Sequence, residues 1–162
     1  MNTIFSAFTN AAITIDGRLD EAEWNQAQRF ASFVETRPFS LKESTIPTEV
    51  LVLTDEKGMY FGFINEQSWD TRYRRKQERD AMWSDSDRNF LSIDFDGKAN
   101  MGYFFGVSLG GSMSDGTISN GSQMDRDWDG DWEVKTSESE THWYSEFFLP
   151  WTVVPMMSDK QS

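Results

Sequence analysis

The chain has 162 residues, 27 acidic against 15 basic side chains for a net charge of −12, and no cysteine. That length fits one domain with a sizeable core. The charge repels nucleic-acid backbones and anionic membrane surfaces, and the lack of thiols excludes disulfides, cysteine-ligated metal and thiol catalysis.

Met1–Asn10 has neither the basic start nor the apolar run of an export signal, and no stretch approaches the ~20 apolar residues of a membrane span. Ile15-Asp16-Gly17 reads as a strand end running into a tight turn. Asp20 is placed to cap a short helix over Asp20–Ala27, with Glu23 three residues on to close a capping box and Trp24 and Ala27 on the buried face. Thr48–Asp55 alternates, with Val50, Val52 and Thr54 on one side and Leu51 and Leu53 on the other. Both sides are largely apolar, which predicts a strand covered on two faces. Glu56-Lys57-Gly58 makes a hairpin turn into Met59–Ile64.

Thr71–Ala81 has no alternation and reads as a loop or short helix inserted between strands. Phe90–Phe95, Tyr103–Ser108, Trp132–Thr136 and Trp143–Leu149 continue the strand pattern, punctuated by Gly, Asn, Asp and Ser. The predicted fold class is all-β: one antiparallel β-sandwich of jelly-roll-like character over residues 1–162, with the short N-terminal helix and the one insertion. Leu149-Pro150-Trp151 opens a turn before a polar tail. Stopping there leaves a sheet edge open, a route to a dimer, and suggests a fragment of a longer protein with a neighbouring domain.

Four stations in chain order carry a resemblance. They are Ile15-Asp16-Gly17 with Asp20-Glu21 and Trp24; the hairpin Val50–Ile64; Ser84-Asp85-Ser86-Asp87 leading into Phe90–Asp94; and Trp143, Glu146 and Pro150 in a W-x-x-E-x-x-x-P pattern. Together they resemble carbohydrate-binding module family 9, over roughly Ile13 to Val154. The resemblance implies a non-catalytic sugar-binding β-sandwich. The acidic loop and Asp115–Trp132 look most like a Gram-negative subgroup that precedes an outer-membrane-type region, which implies export to the periplasm, outer membrane or cell surface.

The resemblance also implies site residues. Trp83 matches, within one position, an aromatic that forms one wall of a sugar clamp, with Arg79 and Asp85 beside it to bind hydroxyls. The chain departs from the family at three places. The sugar-binding acid of the following strand falls near Asn89 or Phe90, a polar position on the next strand falls near Phe104 or Phe105, and the second aromatic wall belongs to C-terminal strands this chain lacks. Trp128 or Trp69 is the substitute wall.

Asp125-Arg126-Asp127-Trp128-Asp129-Gly130-Asp131 alternates carboxylates ahead of a glycine, in the manner of a D-x-D-x-D-G calcium loop. Its twelfth position is Thr136 rather than a bidentate glutamate, so an EF-hand is excluded. Two readings stand: Asp125, Asp127 and Asp129 hold a structural calcium ion, as the family commonly does, or they are a solvated turn. Arg72, Arg74, Arg75, Lys76 and Arg79 form a basic patch that either neutralises the acids around it or meets an anionic sugar.

Enzyme signatures are lacking. His142 is the sole histidine, there is no G-x-S-x-G elbow, and Gly102, Gly106 and Gly110-Gly111 make no phosphate loop. Carboxylates are plentiful, yet no spacing pairs Glu35, Glu49 or Glu146 for glycoside hydrolysis. Two alternatives to sugar binding remain. One is a structural or interaction module of an outer-membrane protein. The other is a haem-binding sandwich using Met101, Met113 or Met124.

Overall fold

The computed structural model describes residues 7–10, 13–75, 78–80 and 85–154. Among the described residues there are ten strands: β1 Ala7–Phe8, β2 Gln28–Phe30, β3 Thr48–Thr54, β4 Gly58–Glu66, β5 Arg88–Ile93, β6 Met101–Ser108, β7 Met113–Ser119, β8 Gln123–Asp125, β9 Glu133–Glu138 and β10 His142–Pro150. They form two sheets. The larger runs β3-β4-β10-β9, with β2 and β1 sharing the outer edge of β3. There β2 pairs antiparallel with Val50–Val52 and β1 pairs parallel with Leu53 and Thr54. The smaller sheet is an antiparallel meander, β5-β6-β7-β8. This is the predicted all-β sandwich.

Period-two alternation sorts the side chains. Val50 and Val52 of β3, Phe61 and Phe63 of β4, Val134 of β9, and Phe147 and Leu149 of β10 pack against Phe105 and Val107 of β6. Trp132 stacks on Phe147 with the rings 7° from parallel and meets Phe105 edge-on at 5.4 Å. The other parity of the large sheet, Leu51, Leu53 and Tyr60, is covered by Ile13 and Trp24 from the N-terminal segment. Strand β3 is therefore covered on both faces, as its sequence predicted. Gly62 makes room for that cover: a Cβ there would lie 2.8 Å from the Leu19 methyls and 3.3 Å from the Trp24 ring.

A polar bridge joins the sheets near one end. Asn65 and Asn89 exchange amide hydrogen bonds at 3.1 and 3.0 Å, and Ser145 Oγ donates to Asn89 Oδ1 at 2.8 Å. All three residues are buried, so each donor and acceptor needs its partner. Asn89, at a position where the resemblance expects a sugar-binding group, is a structural bridge.

The structure refines the sequence reading in places. The helix expected over Asp20–Ala27 is one 3-10 turn, Ala22–Gln26, preceded by Glu21 rather than Asp20 and without a side-chain cap. Glu21 instead accepts the Thr14 N–H at 3.1 Å, so the segment folds back on itself and no capping box closes. The Thr71–Ala81 insertion is a loop in its described residues, as expected: a short 3-10 turn at Trp69–Thr71 precedes it, no regular structure follows, and Arg79 and Asp80 form a turn. Strands β7 and β8 escaped the sequence reading because their segments are mostly small and polar. Asp125, read as the opening of a loop, is the last residue of β8 and pairs with Thr117.

Candidate carbohydrate site

The β4–β5 connection carries most of the exposed chemistry. It starts as a firmly anchored segment. The guanidinium of Arg72, which has no exposed side-chain surface, donates to the carbonyls of Gln67 and Ser139 at 2.9 and 2.8 Å and to Glu138 Oε2 at 3.1 Å. Trp69 N–H donates to the Glu140 carbonyl at 3.0 Å. Gln67 takes the Trp143 indole N–H at 2.9 Å and donates to Asp87 at 3.0 Å, and Asp87 also accepts the Tyr73 N–H. The connection is thus pinned to the β9–β10 turn and to the start of β5.

On this base Trp69 is 52% exposed. The Arg74 guanidinium carbon lies 3.6 Å from its ring centroid, a close cation–π stack. Arg74 is held in turn by Glu138 at 2.7 Å and by the Trp69 carbonyl at 3.2 Å. The Arg72 guanidinium carbon also lies over the ring, 5.6 Å from its centroid, so two cations hold an indole that is half open to solvent. Tyr73, 67% exposed, stands four residues on.

Trp83 lies outside the described residues. Asp85 is exposed and approaches Arg75 at 3.8 Å. Trp128 is half-buried: its ring packs edge-on against Tyr103 at 4.8 Å and Phe105 at 6.0 Å, and a Cβ on Gly130 would lie 2.6 Å from it. Its indole is engaged with the core and with its own loop. The structure does not bring Arg79 to Asp85. It brings Arg79 to Asp115 at 2.7 Å, Asp129 at 3.1 Å and Asp80 at 3.5 Å.

Asp115 is the hub of that cluster and is fully buried. One oxygen accepts Arg79; the other accepts the Gly130 N–H at 2.7 Å and the Trp132 indole N–H at 2.9 Å. Its own N–H donates to Asp80 at 3.0 Å. The 125–131 segment is thereby tied to β7 and to the core tryptophan.

Among the described residues, the acidic trio with oxygens all within 4.8 Å of one another is Asp80, Asp115 and Asp129. Asp125 and Asp127 are not part of it, and Asp125 accepts the Asp127 N–H at 2.9 Å. The carboxylate set thus differs from the sequence-derived one. Three hard oxygens suit calcium, and Arg79 pairs with all three residues, offsetting one of their three charges from within the chain. Asp80 appears in the sequence within an acidic run, whereas Asp115 precedes a glycine and reads as an ordinary turn residue.

No protein-family model matches the sequence, and no curated protein matches it. Solved structures do. A family 9 carbohydrate-binding module from Caldicellulosiruptor kristjanssonii, in complex with glucose, superposes with a TM-score of 0.62 at 12% identity over 94% of this chain and 71% of that one. Such a module in complex with cellotriose gives 0.57 at 13% identity over 89% of this chain, which spans 66% of that one. A protein from Bacteroides uniformis whose given name proposes carbohydrate binding gives 0.69 at 8% identity, covering 91% and 72%. The chain has the fold of the family 9 carbohydrate-binding modules.

Proposed function

We propose that this chain is a non-catalytic carbohydrate-binding module whose stacking plate is Trp69. The observation that carries the reading is the half-exposed indole held by Arg74 and Glu138. The aliphatic C–H face of a pyranose carries partial positive charge and suits the negative face of an indole. Holding the ring in place beforehand lowers the ordering cost of binding. The likeness to modules solved with glucose and cellotriose supports a β-linked glucan or a neutral monosaccharide as the first ligands to try.

Isothermal titration against glucose, cellobiose and xylan tests this. Binding heat in the wild type that weakens at least about tenfold in Trp69→Ala supports the plate. Trp83→Ala, titrated in parallel, separates the two tryptophans: binding lost there and kept in Trp69→Ala moves the plate to Trp83.

A specific observation favours a second reading, an interaction module. The β2–β3 connection exposes Phe39 at 79%, Leu41 at 56% and Val34 at 48%, an apolar surface unlike the rest of the described chain. Flat titrations against every sugar would select that reading.

A further inference from the structure

Two carboxylates meet the N-terminal segment where it lies over the large sheet. Glu21 Oε1 accepts the Thr14 N–H at 3.1 Å, and Glu146 Oε2 accepts the Asp16 and Gly17 N–H groups, each at 2.9 Å. Thr14 and Asp16 are two residues apart, so their donors lie within about 7 Å of each other along the chain. Both acids are therefore held against one short stretch of backbone, and each uses a single oxygen to do it. The other two oxygens, Glu21 Oε2 and Glu146 Oε1, are buried and have no hydrogen-bond partner among the described residues. The buried Trp24 indole N–H reaches neither of them.

A buried acceptor without a donor is costly, and a buried charge without a partner more so. The cations on this side of the sheet bring no relief. Lys135 of β9 faces Glu146 in register but is exposed, Arg18 of the turn is exposed, and Arg29 of β2 is paired with Glu49 of β3. Asp16 and Asp20 beside the turn, Glu23 of the 3-10 turn, and Glu133 opposite Phe148 on β9 add only negative charge. Tyr60 of β4 donates its hydroxyl to Asp55, and Tyr144 lies two residues along β10.

We infer that one proton joins Glu146 Oε1 to Glu21 Oε2 and latches the N-terminal segment onto the large sheet. The proton satisfies both oxygens at once: Glu146 donates and Glu21 accepts. It belongs on Glu146 because that residue is fully buried, and on Oε1 because Oε2 already takes two N–H groups. Burial raises the Glu146 pKa, and the Glu21 charge adds more to the rise than that of Asp16, whose own N–H touches Oε2. Loss of the proton leaves two like charges side by side beneath the segment. The segment covers Leu51, Leu53 and Tyr60. A rise in pH through about 7 thus uncovers an apolar sheet face while the two sheets stay packed.

Carboxyl carbon-13 NMR of the intact chain tests the latch, with the Glu146 resonance assigned by its loss in Glu146→Gln. Its titration midpoint is expected at about 7. Glu21→Gln keeps an acceptor for the Thr14 N–H but offers Glu146 an N–H in place of a carboxylate, so the midpoint is expected to fall by about one unit or more. Amide hydrogen exchange supplies the second readout. With Glu146 at its ordinary 4.5 when the segment is open and about 7 when it is closed, protection of the Asp16 and Gly17 N–H groups is expected to drop roughly 70-fold between pH 5 and pH 8. That drop is expected through an opening that leaves the β3 and β4 amides protected. A midpoint below about 5, or one that Glu21→Gln leaves in place, overturns the proposal. So does exchange of Asp16 and Gly17 only in step with β3 and β4. A midpoint that added calcium lowers overturns it as well, because a cation would then join the two oxygens.

Discussion

Glu146 gives the most searching test of the fold's electrostatics. It sits on β10 opposite Gly62 and is fully buried. Its Oε2 accepts the N–H groups of Asp16 and Gly17, each at 2.9 Å, while Oε1 has no hydrogen-bond partner among the described residues. Burial pushes its pKa up and outweighs those two donors, with the charges of Glu21 and Asp16 adding to the rise, from an ordinary 4.5 to about 7. A carboxyl with a raised pKa holds its proton more tightly folded than unfolded. Its stabilisation is complete below about pH 4.5 and is lost as pH rises through 7. At ~1.4 kcal/mol per unit, the full swing is about 3 kcal/mol. Urea unfolding followed by tryptophan fluorescence at pH 5, 6, 7 and 8 is expected to show stability falling by roughly that amount across the series. Glu146→Gln keeps the shape and the acceptor but cannot ionise, so its stability over the same range is expected to be nearly flat. A wild-type protein equally stable at pH 5 and pH 8, or a glutamine variant with the same slope, would refute the reasoning.

Other expectations follow from single contacts. Asp115→Asn loses the charge-assisted bond to Arg79, which is 40% exposed and keeps Asp80 and Asp129, and is expected to cost about 1–2 kcal/mol, a fall in Tm of roughly 2–8 °C by calorimetry. Gly58→Ala would put a Cβ 2.2 Å from the Leu149 carbonyl inside the β4–β10 ladder, whereas at Gly62 the nearest atoms are the flexible Leu19 methyls at 2.8 Å. The first is expected to destabilise by about 3 kcal/mol or more and the second by about 1, as measured by urea unfolding. Because Arg79 ion-pairs with each of Asp80, Asp115 and Asp129 and so competes with a cation for their oxygens, excess EDTA is expected to leave the wild-type Tm within about 1 °C, and a clear fall would place a metal ion in the cluster.

The fold was legible where one strand reports its own surroundings. Thr48–Asp55 shows two apolar parities, and the structure puts Val50 and Val52 in the sandwich and Leu51 and Leu53 beneath the N-terminal segment. Strands β7 and β8 gave no such signal, because Met113–Ser119 owes its place to pairing with β6 rather than to an apolar stripe of its own. The site was less legible for the same reason. Asp129 was visible as an acid, but its partners lie 14 and 49 residues away in Asp115 and Asp80, and no local spacing encodes that meeting. Trp69 was visible as an alternative to Trp128 for a second aromatic wall, without any sign of what holds its ring. What makes it a plate is Arg74 five residues on and Glu138 across the fold, a relation that exists once the β4–β5 connection docks on the β9–β10 turn.

The family-like stations have a physical explanation that separates fold from function. The first, Ile15-Asp16-Gly17 through Trp24, and the last, Trp143 through Pro150, lie at opposite ends of the chain, yet they touch: two successive N–H groups of the turn bind Glu146 across 130 and 129 residues. Gly17 has φ +86° and sits against the β9 backbone, where a Cβ would lie 2.8 Å from Thr136 carbonyl carbon. A glycine is needed there on both counts. Trp24 fills the space above Gly62, and the Ser137 hydroxyl donates to the Gly17 carbonyl. These residues form a clasp that lays the N-terminal segment over the second face of the large sheet. Any chain that covers its sheet this way needs the same turn, glycine and buried acid, whatever ligand it binds. The clasp therefore specifies the sandwich independently of any ligand, and the expected departures lie elsewhere, at Asn89 and Phe90 of β5 and Phe104 and Phe105 of β6, where Asn89 serves as a structural bridge and Phe104 and Phe105 are buried.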